Sequence, residues 1–259
     1  MEQQPPVPET PPMPPTATSL AARLLNVFAT PGEVFEEVKA APSTASNWLV
    51  PTLLAAVVGV LASILIFSQP AIVQQLREQQ AKVIDQKVKE GKMSQADADK
   101  ALAVLEKFMG PTMLKISGSI GAVIGSFVRL FWWALVLWLA AQFFLKVKVN
   151  YLKAVEIVGL ATMISLLGGI VGLLLVVNLG KMFSSPSLAL VVSDFDVQKK
   201  SHLVLGALNV FSFWFIGVMS SGLSRLAGVP FPRALVLVLG YWILQELLLI
   251  YSGLGQMAL

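Results

Sequence analysis

Cysteine is absent from the 259 residues, and histidine occurs once. The first absence removes disulfides, thiolate metal sites and thiol nucleophiles together. The second leaves His202, beside Lys199 and Lys200, without the neighbours that a histidine metal cluster or a histidine-pair mechanism needs. Charge is also scarce. Only 13% of residues are Asp, Glu, Lys or Arg, against about 25% in soluble domains. The formal net charge of +4 is too small and too dispersed to imply a nucleic-acid partner. Catalytic signatures are missing too: there is no His-Glu-x-x-His, no Gly-x-Ser-x-Gly, no P-loop and no dinucleotide-binding glycine fingerprint. These gaps point away from an enzyme, with no catalytic, cofactor-binding or metal-ligating residue to name and no cofactor implied.

What is present is apolar. Hydrophobic residues make up 56% of the chain, more than a soluble core of this size can hide, and the composition is the opposite of a disordered chain's. Five runs are long enough to cross a bilayer, which takes about 20 helical residues. They lie at 48–68, 116–145, 154–179, 203–223 and 234–251, and only Arg129, Glu156 and Glu246 carry charge inside them. Trp48, Tyr151 and Tyr251 sit near run ends, where an aromatic belt belongs. The pattern predicts an all-α fold, a polytopic bundle of five transmembrane helices in contact with the lipid bilayer.

The segments outside these runs divide cleanly. Residues 1–18 form a proline-rich tail that cannot build a core and reads as disordered, with seven prolines in its first fifteen residues. Residues 19–47 carry two short amphipathic helices, one capped by Ser19 and one opened by Thr30-Pro31 with Glu33. They are expected to lie in the membrane interface; packing under the helix bundle is the competing placement. Residues 69–115, inside the membrane domain of 48–252, hold eight Lys/Arg and six Asp/Glu. Ile72, Leu76, Val83, Ala98, Ala101, Leu102, Leu105 and Phe108 recur there at helical spacing. That segment is expected to be a water-exposed helical hairpin between spans one and two. Residues 253–259 remain as a short tail.

Five spans place the termini on opposite sides. Counting every basic residue outside the spans gives seven on the N-terminal side and eleven on the other. Eight of the eleven are interleaved with acids in the hairpin. Short loops carry the positive-inside rule most reliably, and without the hairpin the count becomes seven against three. The expected orientation has the N-terminus cytoplasmic and the C-terminus outside, in a bacterial cytoplasmic membrane.

Two intramembrane charges stand out, because Arg at mid-membrane costs about 2.5–3.5 kcal/mol on insertion scales. At 1.5 Å per residue, Arg129 lies about 26 Å from Lys146, and Glu246 about 20 Å from Arg233. Both therefore fall in the half of the bilayer away from the N-terminus, and an ion pair between them is expected. Glu156 follows Lys153 by one turn and reads as its interfacial i,i+3 partner. Gly121 with Gly125, and Gly168 with Gly172, have the Gly-x-x-x-Gly spacing that lets helices approach. They are expected to join spans two and three, or else to make a homo-oligomer contact.

Two stretches carry a resemblance. Asn26-Val27-Phe28 through Pro31, followed by Val34-Phe35-Glu36-Glu37, precedes the first span. Leu208-Asn209-Val210-Phe211-Ser212-Phe213-Trp214 precedes Gly222-Leu223 and Ala234. Their order and spacing, with the charged hairpin, resemble the bacterial branch of the Yip-one (Ypt/Rab-interacting protein) domain family over about residues 20–252. The resemblance implies five spans, a cytoplasmic N-terminus, and a scaffold or trafficking role without catalysis. It does not carry over binding to Rab-type GTPases, because the Asp-Leu-Tyr-Gly-Pro motif of eukaryotic members is absent. The leading expectation is a scaffold that meets protein partners through its hairpin or N-terminal helices. The alternative is a small transporter or channel with a polar path through Arg129 and Glu246, lined by Gln142, Asn209 and Gln245.

Overall fold

The computed structural model describes residues 18–252; the expectations for residues 1–17 and 253–259 lie outside the described residues. Among the described residues the chain is helical, without a strand. It begins with α1 (Leu20–Ala29), α2 (Pro31–Ala40) and α3 (Ser46–Ile66), followed by α4 (Pro70–Lys89) and α5 (Gln95–Phe108). Next come α6 (Pro111–Leu139), prolonged by a π-helical turn at Ala140–Phe144, then α7 (Tyr151–Leu179), α8 (Lys200–Ala207), α9 (Val210–Ala227) and α10 (Phe231–Ser252). Five of these elements, α3, α6 with its π turn, α7, α9 and α10, are long and apolar enough to cross a membrane. The fold is a polytopic helical bundle.

One boundary differs from the apolar pattern in a way that matters. The pattern starts the fourth span at Leu203, but the helix breaks at Leu208–Asn209 and restarts as α9. Asn209 is the reason. Its backbone is extended and its side chain accepts the Phe211 N–H at 2.9 Å, an N-cap that starts a new helix. The Val210 N–H donates to the Pro186 carbonyl at 3.2 Å, tying the break to the preceding loop.

α7 packs against α3, α6 and α9, and α9 packs in turn against α10. In lipid, apolar burial between helices gains little, so close van der Waals packing must hold the spans together. Two glycines show how. A Cβ at Gly159 of α7 would run into the backbone of Trp48 at the start of α3, and one at Gly222 of α9 would strike Ile157 of α7. Both contacts lie near the face that carries α1 and α2, here termed the N-terminal face.

Burial follows the same division in every span. Towards the N-terminal face the buried positions run from Asn47 to Ala56 in α3, from Leu130 onward in α6, and from Lys153 to Ile164 in α7. They continue from Phe215 onward in α9 and include Ala234 and Val238 in α10. Towards the hairpin face only Gly168 and Val176 in α7 and Ile250 in α10 are buried.

The N-terminal helices belong to the tight half. Val27, Val34, Phe35 and Val38 are buried in the bundle's own core. Phe28 sits edge-on to Trp214 with ring centroids 5.7 Å apart, while Lys39 donates to the Arg225 carbonyl at 2.8 Å. Those α9 positions are about 16 Å apart along the axis at 1.5 Å per residue, so the pair stands alongside α9. These contacts hold both helices against the side of the bundle.

A buried ion pair fixes the α2–α3 linker to the bundle. The Lys153 ammonium donates to the carbonyls of Val38 (2.6 Å) and Ala41 (2.7 Å) and to Glu156 at 3.2 Å. The second carboxylate oxygen of Glu156 accepts the Thr44 N–H. The i,i+3 pair expected from sequence is there, but it is buried, with Glu156 only 1% exposed, and it clamps a segment more than a hundred residues away in the chain.

At the opposite face α4 and α5 pack on each other as the expected hairpin. Gly91, with φ +67°, makes the turn, and Ser94 caps α5 by accepting the Asp97 N–H at 3.1 Å. Arg77 closes the base, donating to the Met109 carbonyl at 2.9 Å. Gln75 joins the hairpin to the end of α7, donating to the Gly180 carbonyl at 2.7 Å and accepting the Met182 N–H at 3.1 Å.

Candidate functional site

Side-chain size decides where the bundle opens. α6 and α10 meet where the Trp132 indole N–H donates to the Tyr241 hydroxyl and the Trp133 and Tyr241 rings stand edge to face at 5.1 Å. From there towards the hairpin face, the α6 and α7 surfaces carry Gly125, Gly168, Gly169 and Gly172, which supply no side chain to fill the space. The result is a cleft of about 950 Å³ between α6, α7, α9 and α10, bounded at its far end by Ser185, Pro186 and Asn209.

The cleft collects the polar residues that the sequence singled out. Arg129, Glu246, Gln245 and Asn209 all line it, together with Ser165 and Ser212. Its walls are otherwise aromatic, from Trp132, Trp133, Phe211, Phe215, Tyr241 and Trp242. Gln142 is not among the lining residues; it falls in the π-helical turn at the other end of the span.

Arg129 and Glu246 therefore share one cavity, as the helical arithmetic predicts, but among the described residues no ion pair joins them. The guanidinium is engaged elsewhere. It donates to Ser165 Oγ at 3.1 Å and lies 5.5 Å from the centre of the Phe215 ring, a cation–π contact. Ser165 is the one hydrogen-bond acceptor Arg129 meets among the described residues, although a guanidinium offers five donors. The half-buried Glu246 carboxylate has no hydrogen-bond or ion-pair partner among them. Ser165 escaped the sequence reading because one serine in an apolar run has no distinguishing pattern.

The glycine pairs also act differently from the packing expectation. A Cβ at Gly121, Gly125 or Gly172 would meet nothing within 4 Å, so these three hold no helix close. Gly168 does make a tight contact, but with Phe211 of α9, at 2.8 Å from the position of a Cβ, and not with α6. Gly121 and Gly125 also border a smaller cavity of about 310 Å³ between α3, α6 and α7, reached by Arg129 and Ser165 as well. The physical reason is geometric: Gly121 and Gly125 of α6 and Gly172 of α7 front empty space, while close approach uses Gly59 against Ala122, Gly159, Gly168 and Gly222.

The fold and the cleft can now be set beside known proteins. The family model of the Yip1 domain matches residues 25–253. The chain belongs to the Yip1 domain family. The match covers both sequence stretches that carried the resemblance and all five spans; it is a match to the domain as a whole and does not single out a bacterial branch. No curated protein matches the chain, and no solved structure does.

Proposed function

We propose that this Yip1 domain protein is a non-enzymatic membrane scaffold or membrane-organisation factor, and that its hairpin is the surface that recruits protein partners. The observation that carries this reading is an apolar strip left uncovered on α5. Val104 and Phe108, one helical turn apart on one face, are 55% and 52% exposed. A helix whose apolar face finds no partner within its own chain marks an interaction site when the rest of the segment is strongly charged. The N-terminal helices are the weaker candidate, because Val27, Val34, Phe35 and Val38 are buried in the bundle and Leu25 is their one strongly exposed large apolar side chain. The proposed orientation keeps the N-terminus in the cytoplasm and the hairpin outside, in a bacterial cytoplasmic membrane.

Photo-crosslinking amino acids placed at Val104 and Phe108 in native membranes, followed by mass spectrometry, test this. Discrete protein adducts are expected at these two positions and not from a crosslinker at Leu61 of α3, which is 51% exposed on the first span. Adducts to lipid alone, or none, would overturn the reading.

The alternative of a small transporter has the polar cleft in its favour. Against a continuous path, the cleft ends on Trp133 and Phe215, and beyond them towards the N-terminal face lie Leu137, Ile157, Leu160 and Met219, each 1% exposed or less. Flux of any solute that depended on both Arg129 and Glu246 would favour the transporter.

A further inference from the structure

Arg129 and Glu246 pose a physical problem that the protein alone does not solve. Each is a charge within the membrane-spanning region, where an isolated charge is costly, and both face one cleft without contacting each other. Arg129 has a single hydrogen-bond acceptor and Glu246 has no donor among the described residues. A ligand that carries both signs, separated by a short linker, would satisfy both.

We infer that the cleft seats one zwitterionic phospholipid, its phosphate on Arg129 and its ammonium towards Glu246, with the acyl chains lying outside in the bilayer. Three observations carry this. The first is charge: a carboxylate beside the guanidinium disfavours a purely anionic headgroup, while the pair matches a zwitterion in sign at both ends. The second is access. Val128, Trp132, Leu244 and Leu248 border the cleft and are exposed, at 61%, 53%, 55% and 60%, so its mouth opens sideways between α6 and α10 towards hydrocarbon. The third is depth. Arg129 lies about 26 Å and Glu246 about 20 Å from the N-terminal-side ends of their spans, in a hydrocarbon layer about 30 Å thick, so both fall in the far leaflet with the phosphate site nearer the surface and the headgroup bent back into the cleft. Tyr241 and Trp242 add aromatic faces suited to an ammonium group, and the volume is in the usual range for a ligand site.

The seat is independent of the hairpin contact proposed above, and its test does not involve the hairpin. The full chain, purified in detergent, is titrated by native mass spectrometry with phosphatidylethanolamine, phosphatidylglycerol and diacylglycerol of identical chains. Free phosphoethanolamine serves as a headgroup-only control. Wild-type protein is expected to prefer phosphatidylethanolamine at least about tenfold over the other two lipids, and to bind the free headgroup far more weakly. Glu246→Gln should bring phosphatidylglycerol level with phosphatidylethanolamine. Arg129→Gln should reduce both to the diacylglycerol level. Equal binding of all three lipids by wild type, a wild-type preference for phosphatidylglycerol, or an unchanged preference in Glu246→Gln would overturn the inference. The wild-type comparison needs no substitution, so a variant that fails to fold leaves it decided.

Discussion

The two halves of this bundle are built from the same five helices, yet they are packed in different ways. Near the N-terminal face, Gly159 meets the Trp48 backbone and Gly222 the Ile157 side chain, α1 and α2 add Phe35 and Val38 to the core, and a buried Lys153–Glu156 pair holds the linker. Towards the hairpin face, Gly121, Gly125, Gly169 and Gly172 front open space, although Gly59 and Gly168 still pack on Ala122 and Phe211, and Arg129 and Glu246 line a cleft. The same residue type thus serves opposite ends. A glycine tightens a bundle only where a neighbouring backbone or side chain presses on it, and where none does, it leaves a cavity.

If that contrast is right, substitutions should separate the halves by size of effect. The largest should come from Glu156→Leu, which leaves the Lys153 ammonium buried without its counter-charge; breaking such a pair costs about 3–5 kcal/mol. Denaturant or thermal unfolding in detergent would read the loss, and a variant as stable as wild type would remove the clamp from the account. Next comes Gly159→Val, which forces the α3 and α7 backbones apart, at about 1–3 kcal/mol or more. Gly121→Val, on the open face, should stay within about 0.5 kcal/mol of wild type. Equal effects at the two glycines would erase the distinction. Between the two glycines falls Asn209→Ala, which removes the cap that starts α9 and should cost about 1 kcal/mol. Smallest is Arg129→Gln, whose side chain has one protein hydrogen bond; in detergent without added lipid its unfolding midpoint should barely move.

Much of this architecture was legible in the residues, because hydropathy and caps are local signals. The five spans, the hairpin with its Ser94 cap, and the i,i+3 relation of Lys153 to Glu156 all follow from spacing along one segment. So does the common depth of Arg129 and Glu246, since helical rise converts sequence separation directly into height. What spacing does not encode is which side of a helix faces which neighbour. For that reason Gly121 and Gly125 read as a packing motif although nothing approaches them, and Arg129 with Glu246 read as an ion pair although Ser165 and the Phe215 ring occupy the guanidinium. The break at Asn209 is a related case. Leu203 to Leu208 continue the apolar run, and only the Asn209 side chain, competing for the Phe211 N–H, ends one helix and begins another.

The central claim is that the bundle is closed towards the N-terminal face and open towards the hairpin face. Because the chain has no cysteine, a single introduced thiol carries a nitroxide label without background. Labels at two positions on α7, Ala161→Cys and Gly169→Cys, would be compared in lipid bilayers for mobility and for collision with oxygen. Ala161 is fully buried, whereas Gly169 lines both cavities and a side chain there meets nothing within 4 Å. A mobile, oxygen-accessible label is expected at 169 and an immobilised, shielded one at 161. Equal shielding at the two positions would contradict it.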